Sequence, residues 1–217
     1  GNEWDIRTKF QIYEDLKKEN PKITVTVAPE NFFNKNYPFF PLSGISKTQT
    51  IYCNENGYYS IYLSDRYGLN NPDNQWDQKE IEYLLLGDSF THGACVNRPY
   101  DITSVLRSLS KKPSLNLGYA SSGPLTQYAV LREYLKKNVK KVIWIYFEGN
   151  DLVNLSSELK YKSLTKYLYN INYKQNLKYK QNEIDQLAIS YIENKRKEEI
   201  KKFNKKQNLI LKIKQFI

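Results

Sequence analysis

An α/β fold, a parallel β-sheet with helices on both faces in three layers, is what this sequence predicts, and three observations carry it. Short, nearly continuous apolar runs occur at 81–86, 114–118 and 142–147. Runs of this length, bounded by turn residues, read as strands buried on both faces. Between them lie segments with helical spacing: Ile102, Val105, Leu106 and Leu109 over about 99–110, then Leu125, Tyr128, Leu131 and Leu135 behind Pro124, which sits where a helix can begin. Strands that alternate with helices pair in parallel. The first run also ends in Gly87, with Ser89 two positions later. A residue without Cβ permits a sharp turn. The Ser89 hydroxyl then falls at the carboxyl end of a parallel strand, where open α/β sheets bind ligands.

The remaining elements are read in chain order. Residues 4–20 place Trp4, Ile6, Phe10, Ile12, Tyr13 and Leu16 among charges, a helical period ending before Asn20-Pro21. Residues 23–27 alternate branched side chains as a strand does. Residues 31–44, rich in Asn, Pro and aromatics, read as a loop whose rings pack on the core. Residues 51–53 and 58–63 flank Asn54-Glu55-Asn56-Gly57, a hairpin pattern. Residues 65–78 are polar and turn-rich. Beyond 155 the chain reads as helical and increasingly charged, with apolar faces at Ile184, Leu187 and Tyr191, at Ile200 and Phe203, and at Leu209, Ile213 and Phe216. The expected division is an N-terminal α+β extension, 1–78, packed on a core unit, 79–217, which is incomplete at its C-terminal end. No internal repeat or flexible linker is visible.

The chain has 217 residues, enough for one α/β domain with a core of its own. It contains no Met and begins at Gly1, so it reads as a piece of a longer protein, with the apolar face of its last helix left to cover. No run of 18 apolar residues exists, so nothing here reads as a membrane span; an anchor upstream of Gly1 stays open. The formal net charge is +10. Its lysines crowd a C-terminal helix face and do not interleave with aromatics, which argues against a nucleic-acid partner. Cys53 and Cys95 with one histidine cannot build a zinc site, and no cofactor is expected. The two cysteines either pair, if the compartment is oxidising, or remain buried thiols. The cell envelope or periplasm is favoured over the cytoplasm.

Acyl transfer requires a nucleophile, a base and donors aimed at the developing oxyanion. Gly87-Asp88-Ser89, Gly118 after the second run and Gly149-Asn150-Asp151 after the third match, in order, three sequence blocks of a known family. Over roughly residues 81–155 the chain resembles the SGNH (GDSL-type) hydrolases. The approach Asp65-Arg66-Tyr67-Gly68-Leu69-Asn70-Asn71 is similar to members found with bacterial surface-polysaccharide genes. The resemblance implies a flavodoxin-like sandwich and an esterase working through an acyl-serine. Ser89 is then the nucleophile. The N–H groups of Ser89 and Gly118 and the side-chain amide of Asn150 are the oxyanion donors. The substrate is a small ester or an acylated carbohydrate, with O-acetyl groups as the leading class. A carbohydrate O-acyltransferase with the same site, and a carbohydrate-binding protein that has lost the base, are the rival functions.

The family's fourth block, Asp-x-x-His, has no match in this sequence, so the chain as it stands is expected to be inactive. His92, the single histidine, lies three residues after Ser89. A residue in the same tight turn would have to fold back on its own backbone to reach the serine oxygen. It is therefore read as a rim or cap residue. Asp88 is read as shaping the turn, and Glu148 and Asp151 as loop-capping residues.

Overall fold

The computed structural model describes residues 4–33 and 37–214 and, at residue 204 and residues 206–214, the backbone alone. It is a mixed α/β structure. Helix α1 (Lys9–Glu19) begins at a capping box in which Thr8 and Gln11 each satisfy the other's backbone N–H. It buries Ile12 and Tyr13, while Trp4 and Ile6 precede it and are exposed. Strand β1 (Thr24–Val25) pairs in parallel with β2 (Gln49–Ile51), and β2 runs antiparallel to β3 (Ile61–Leu63). The expected hairpin is present: Thr50 faces Tyr62, and bonds from Tyr52 N–H to Ser60 O and from Ser60 N–H to Cys53 O carry it toward its turn. The aromatic loop packs inward through Phe40 and Leu42, and Phe32 and Phe33 do so from a short helix, α2 (Glu30–Phe33). Residues 34–36 of that loop lie outside the described residues.

The second sheet holds the site. Strand β4 (Ile81–Leu86) is central, with β5 (Ser114–Asn116) and β6 (Val139–Trp144) parallel to it on either side. Ile81, Leu84, Leu85 and Leu86 are fully buried. After β4 come α3 (Ser89–His92) and α4 (Ile102–Ser110); α5 (Pro124–Tyr134) links β5 to β6 and has its proline in the first turn. Two expectations need correction. The apolar stripe of α4 faces outward: Ile102, Val105 and Leu109 are exposed, while Thr103 and Ser104 are buried. Polar contacts set this rotation, since Asp101 caps the Ser104 N–H at 2.9 Å and Arg107 Nη2 donates to the Ser114 carbonyl at 2.9 Å. The third strand is shifted to 139–144 and is not buried on both faces. It is an edge strand that includes Lys140 and Lys141, paired with Glu80 and Glu82 at 2.9 and 2.8 Å, and it exposes Val142 and Trp144. Among the described residues its other edge pairs with no strand.

Helices α6 (Asp151–Glu158), α7 (Lys162–Tyr169) and α8 (Gln181–Lys214) follow. The first part of α8 buries Ile184, Ala188 and Ile192, and Phe203 is exposed. The side chains of Leu209 and Ile213, and all of Phe216, lie outside what is described. A buried carboxylate fastens the helices: Glu133 accepts from the Tyr167 hydroxyl at 2.5 Å and from the N–H groups of Gln175 and Leu177 at 2.6 and 2.9 Å. One hydrophobic core runs through both sheets, from Ile12 to Ile192. No helix among the described residues is long and apolar enough to cross a membrane, and none of their His, Cys, Asp and Glu clusters suits a metal ion.

Cys53 and Cys95 form a disulfide with their Cα atoms 4.9 Å apart, joining the hairpin to the segment after α3. The bridge spans 42 positions, and closing a loop of that size removes enough unfolded-chain entropy for about 4 kcal/mol. Replacing both cysteines by alanine is therefore expected to lower the unfolding free energy by about that amount under non-reducing conditions, read as a fall in the urea midpoint. Equal midpoints for the two proteins would contradict it.

Candidate active site

At the end of β4 the chain passes Gly87, where a Cβ would stand 2.0 Å from Thr91 Oγ1 and 2.9 Å from the Ile145 carbonyl oxygen. Only glycine fits between the turn and the loop after β6. Asp88 then caps α3, its Oδ1 accepting the Phe90 N–H at 2.9 Å. Ser89 is the first residue of that helix and is half-buried. Neither its hydroxyl nor its N–H makes a hydrogen bond among the described residues. Burial pushes the Asp88 carboxyl above its ordinary range and the Asp151 carboxylate adds to this, while the Phe90 N–H and the Asn150 amide act against it. The amide does not complete a hydrogen bond of good geometry, because Asp88 Oδ2 is buried without a partner.

The loop after β5 comes up beside α3. A Cβ at Gly118 would lie 2.5 Å from Thr91 Cβ, so this glycine serves the packing of the loop on the Ser89 turn. Its N–H, expected to be an oxyanion donor, is already given to Asn116 Oδ1 at 2.8 Å. The N–H groups of Ser121 and Ser122, farther along the loop, donate to nothing among the described residues. Asn116 holds the turn directly, its Nδ2 donating to the Thr91 carbonyl. Its backbone is held in turn by Asn71, through Oδ1 at 2.7 Å and Nδ2 at 2.9 Å. Asn70 Nδ2 donates to the His92 carbonyl at 2.8 Å. Asp65, fully buried, anchors this set by accepting from Asn71 Nδ2, Trp76 Nε1 and the N–H groups of Tyr67 and Leu69. Burial pushes its pKa up to about 6 against those four donors.

The loop after β6 is fixed by a second polar hub. Asp151 Oδ2 accepts the Phe147 N–H at 2.7 Å, as a loop cap should. Gln127 on α5, itself buried, donates to the Ser122 carbonyl at 2.8 Å and to Asp151 Oδ1 at 3.4 Å, and accepts from Trp144 Nε1. Glu158 closes the N-terminus of α5, accepting the N–H groups of Gly123, Leu125 and Thr126 at 2.7, 2.9 and 3.3 Å. Asn150 precedes α6, is half-buried, and has a buried Oδ1 without a hydrogen bond. No protein-family model matches this chain, and neither the curated proteins nor the solved structures contain a match to it.

Ser89, Gly118 and Asn150 follow β4, β5 and β6. Since Leu85 registers with Asn116 and Leu86 with Trp144, all three lie at one edge of a parallel sheet. The histidine does not join them. His92 is fully buried, stacked on Tyr119 at 4.7 Å and tilted against Tyr52 at 4.4 Å, and so belongs to the core rather than to a rim or cap. Its Nδ1 accepts the Ala120 N–H at 3.1 Å, which fixes the neutral ring with the proton on Nε2. Burial, with Lys9 adding, pushes its pKa down to about 3. Among the described residues no base bonds to Ser89. Sequence reasoning named Asn70 and Asn71 only as part of the approach to β4 and gave no role to them, to Asn116 or to Gln127.

Proposed function

We propose that this chain carries the nucleophile and part of the oxyanion site of a serine esterase of the SGNH type, built on a flavodoxin-like three-layer sandwich. The observation that carries the reading is that Ser89, with free Oγ and N–H, and Asn150 stand at one sheet edge, after adjacent parallel strands. In the reaction, a base takes the Ser89 proton as Oγ bonds to the ester carbonyl carbon. The carbonyl oxygen becomes an oxyanion held by the Ser89 N–H and the Asn150 amide, and the alcohol leaves with that proton. Water repeats the sequence on the acyl-serine. The base has to come from outside the described residues.

O-acetyl groups on a carbohydrate are the proposed substrate class. Ser89 and Asn150 stand apart from the hollows of about 450 and 360 Å³ between α1, β1 and α8. Phe90 and Phe147, half-exposed with ring centroids 5.1 Å apart, stand beside the serine as an apolar rim. The disulfide fits an oxidising compartment such as the cell envelope.

Removing one oxyanion donor lowers kcat by about 10²–10³. In a form of the chain that supplies the base, Asn150→Ala is expected to do this on aryl acetates with KM little changed. A loss confined to KM would remove Asn150 from the oxyanion role.

A further inference from the structure

The arginines of this chain fall into two groups. Arg7, Arg66 and Arg196 each meet two carboxylates, and Arg132 donates to the carbonyls of Tyr167, Ile171 and Tyr173. Arg98 and Arg107 are far less satisfied. Arg98 Nη2 donates to the Leu63 carbonyl at 2.7 Å, and Arg107 Nη2 to the Ser114 carbonyl at 2.9 Å, with one long contact from Arg107 Nη1 to Ser104 Oγ at 3.4 Å. Arg98 Nη1 and Arg107 Nε are buried without any partner. Neither guanidinium forms an ion pair among the described residues.

Both side chains line one hollow of about 410 Å³, walled by Pro72 and Pro99 and edged by Ser104 and Ser108 from successive turns of α4. Burial pulls both guanidinium pKa values down, and the two cations are close enough for Arg98 to oppose the charge on Arg107. Asp101 is the acid that acts on both, with Asp65 and Tyr62 acting on Arg98 alone. Asp101 Oδ1 is taken by the Ser104 N–H, and its Oδ2 has no hydrogen bond. Two part-buried cations thus share one neighbouring carboxylate that bonds to neither. Desolvated charge without a partner is costly, and an entering anion recovers that cost through charge-assisted bonds. A guanidinium suits a planar or tetrahedral oxyanion because its donors form a rigid fork.

We propose that the hollow between Arg98, Arg107, Ser104 and Ser108 is a binding site for a small oxyanion, a phosphate or carboxylate group borne by a ligand. It stands apart from Ser89. Arg107 is anchored at Ser114, the first residue of β5, whereas the candidate active site lies beyond the other end of that strand.

Calorimetric titration of the 217-residue chain tests this, with inorganic phosphate in one arm and acetate in the other, each against sodium chloride at equal ionic strength. One-site saturable heat is expected in at least one arm, and the arm that gives it identifies the group. Arg107→Gln should weaken the binding at least tenfold. Ser108→Asp, at an exposed position that leaves the fold alone, should do the same by placing a carboxylate at the mouth, and it decides the matter if Arg107→Gln fails to fold. Lys202→Gln, which removes one remote positive charge, should leave the affinity unchanged. Heats equal to the chloride blank in both arms overturn the site. So does binding that survives Ser108→Asp, or that falls equally with Lys202→Gln.

Discussion

On the proposed esterase reading, a longer form of this chain that supplies a base is expected to lose about six orders of magnitude of ester turnover on Ser89→Ala, the scale seen when a triad serine is removed. The 217-residue chain should be nearly inert even with Ser89 intact. Both results follow from where the bases are. A serine hydroxyl is a weak nucleophile until a neighbouring group takes its proton. Here the sole histidine is turned into the core, its acceptor nitrogen occupied by the Ala120 N–H and its pKa pushed down to about 3 by burial. Asp88, next in sequence, has one carboxylate oxygen committed to the Phe90 N–H and caps the helix that carries the serine. On the proposed esterase reading the base comes from outside the described residues, and among these the edge of β6 beside the site pairs with no strand. Hydrolysis of an aryl acetate by four proteins is the test: the 217-residue chain, a form extended at its C-terminus, and the latter with Ser89→Ala and with His92→Ala. The last should keep its kcat once folded. Robust turnover by the short chain that disappears on His92→Ala would make His92 the base and refute this arrangement.

What the sequence made legible was whatever depends on neighbours along the chain. The passage from β4 through Gly87 to Ser89 follows from an apolar run, a missing Cβ and a helical period, all local. The hairpin around Gly57 and the first turn of α5 at Pro124 are of the same kind. Contacts between distant segments were not legible. Nothing in the spacing of Ile102, Val105 and Leu109 shows that Asp101 and Arg107 dock α4 by its polar side. The run at 142–147 reads as buried, yet its pairing begins at Val139, because Lys140 and Lys141 find carboxylates at Glu80 and Glu82. Gly118 was read in the sequence as an oxyanion donor. What comes close is Thr91, and the N–H is taken by a side chain two residues earlier. One signal was available. Asn116 sits in a three-residue strand between Leu115 and Leu117, and asparagine is depleted in strands. An asparagine there asks for buried partners, which Asn71, Thr91 and Gly118 supply.

His92 and Asp65, buried titratable groups behind the Ser89 turn, should give opposite pH dependences to stability. His92 is depressed from 6.5 to about 3 by burial. The unfolded chain therefore binds its proton first, and the stability from a neutral His92 is full above pH 6.5 and is lost as pH falls toward 3. Asp65 is raised from 3.8 to about 6 by burial. The folded chain binds that proton first, so its contribution is full below 3.8 and is lost as pH rises through 6. Between pH 7 and pH 4.5 the histidine removes about 3 kcal/mol and the aspartic acid returns about 2 kcal/mol. These two contributions largely offset each other, and variants expose them singly. His92→Phe keeps the ring between Tyr52 and Tyr119 but cannot titrate, so relative to wild type it should gain about 3 kcal/mol on going from pH 7 to 4.5. Asp65→Asn should already be about 3–5 kcal/mol less stable at pH 7, since an amide has one acceptor oxygen where four donors converge. Relative to wild type it should lose about 2 kcal/mol more by pH 4.5. Urea unfolding of the three proteins at pH 4.5, 5.5 and 7 measures both slopes. A His92→Phe protein that tracks wild type at every pH would mean that the imidazole is not held neutral in the core, and the case against it as the base would fall with that.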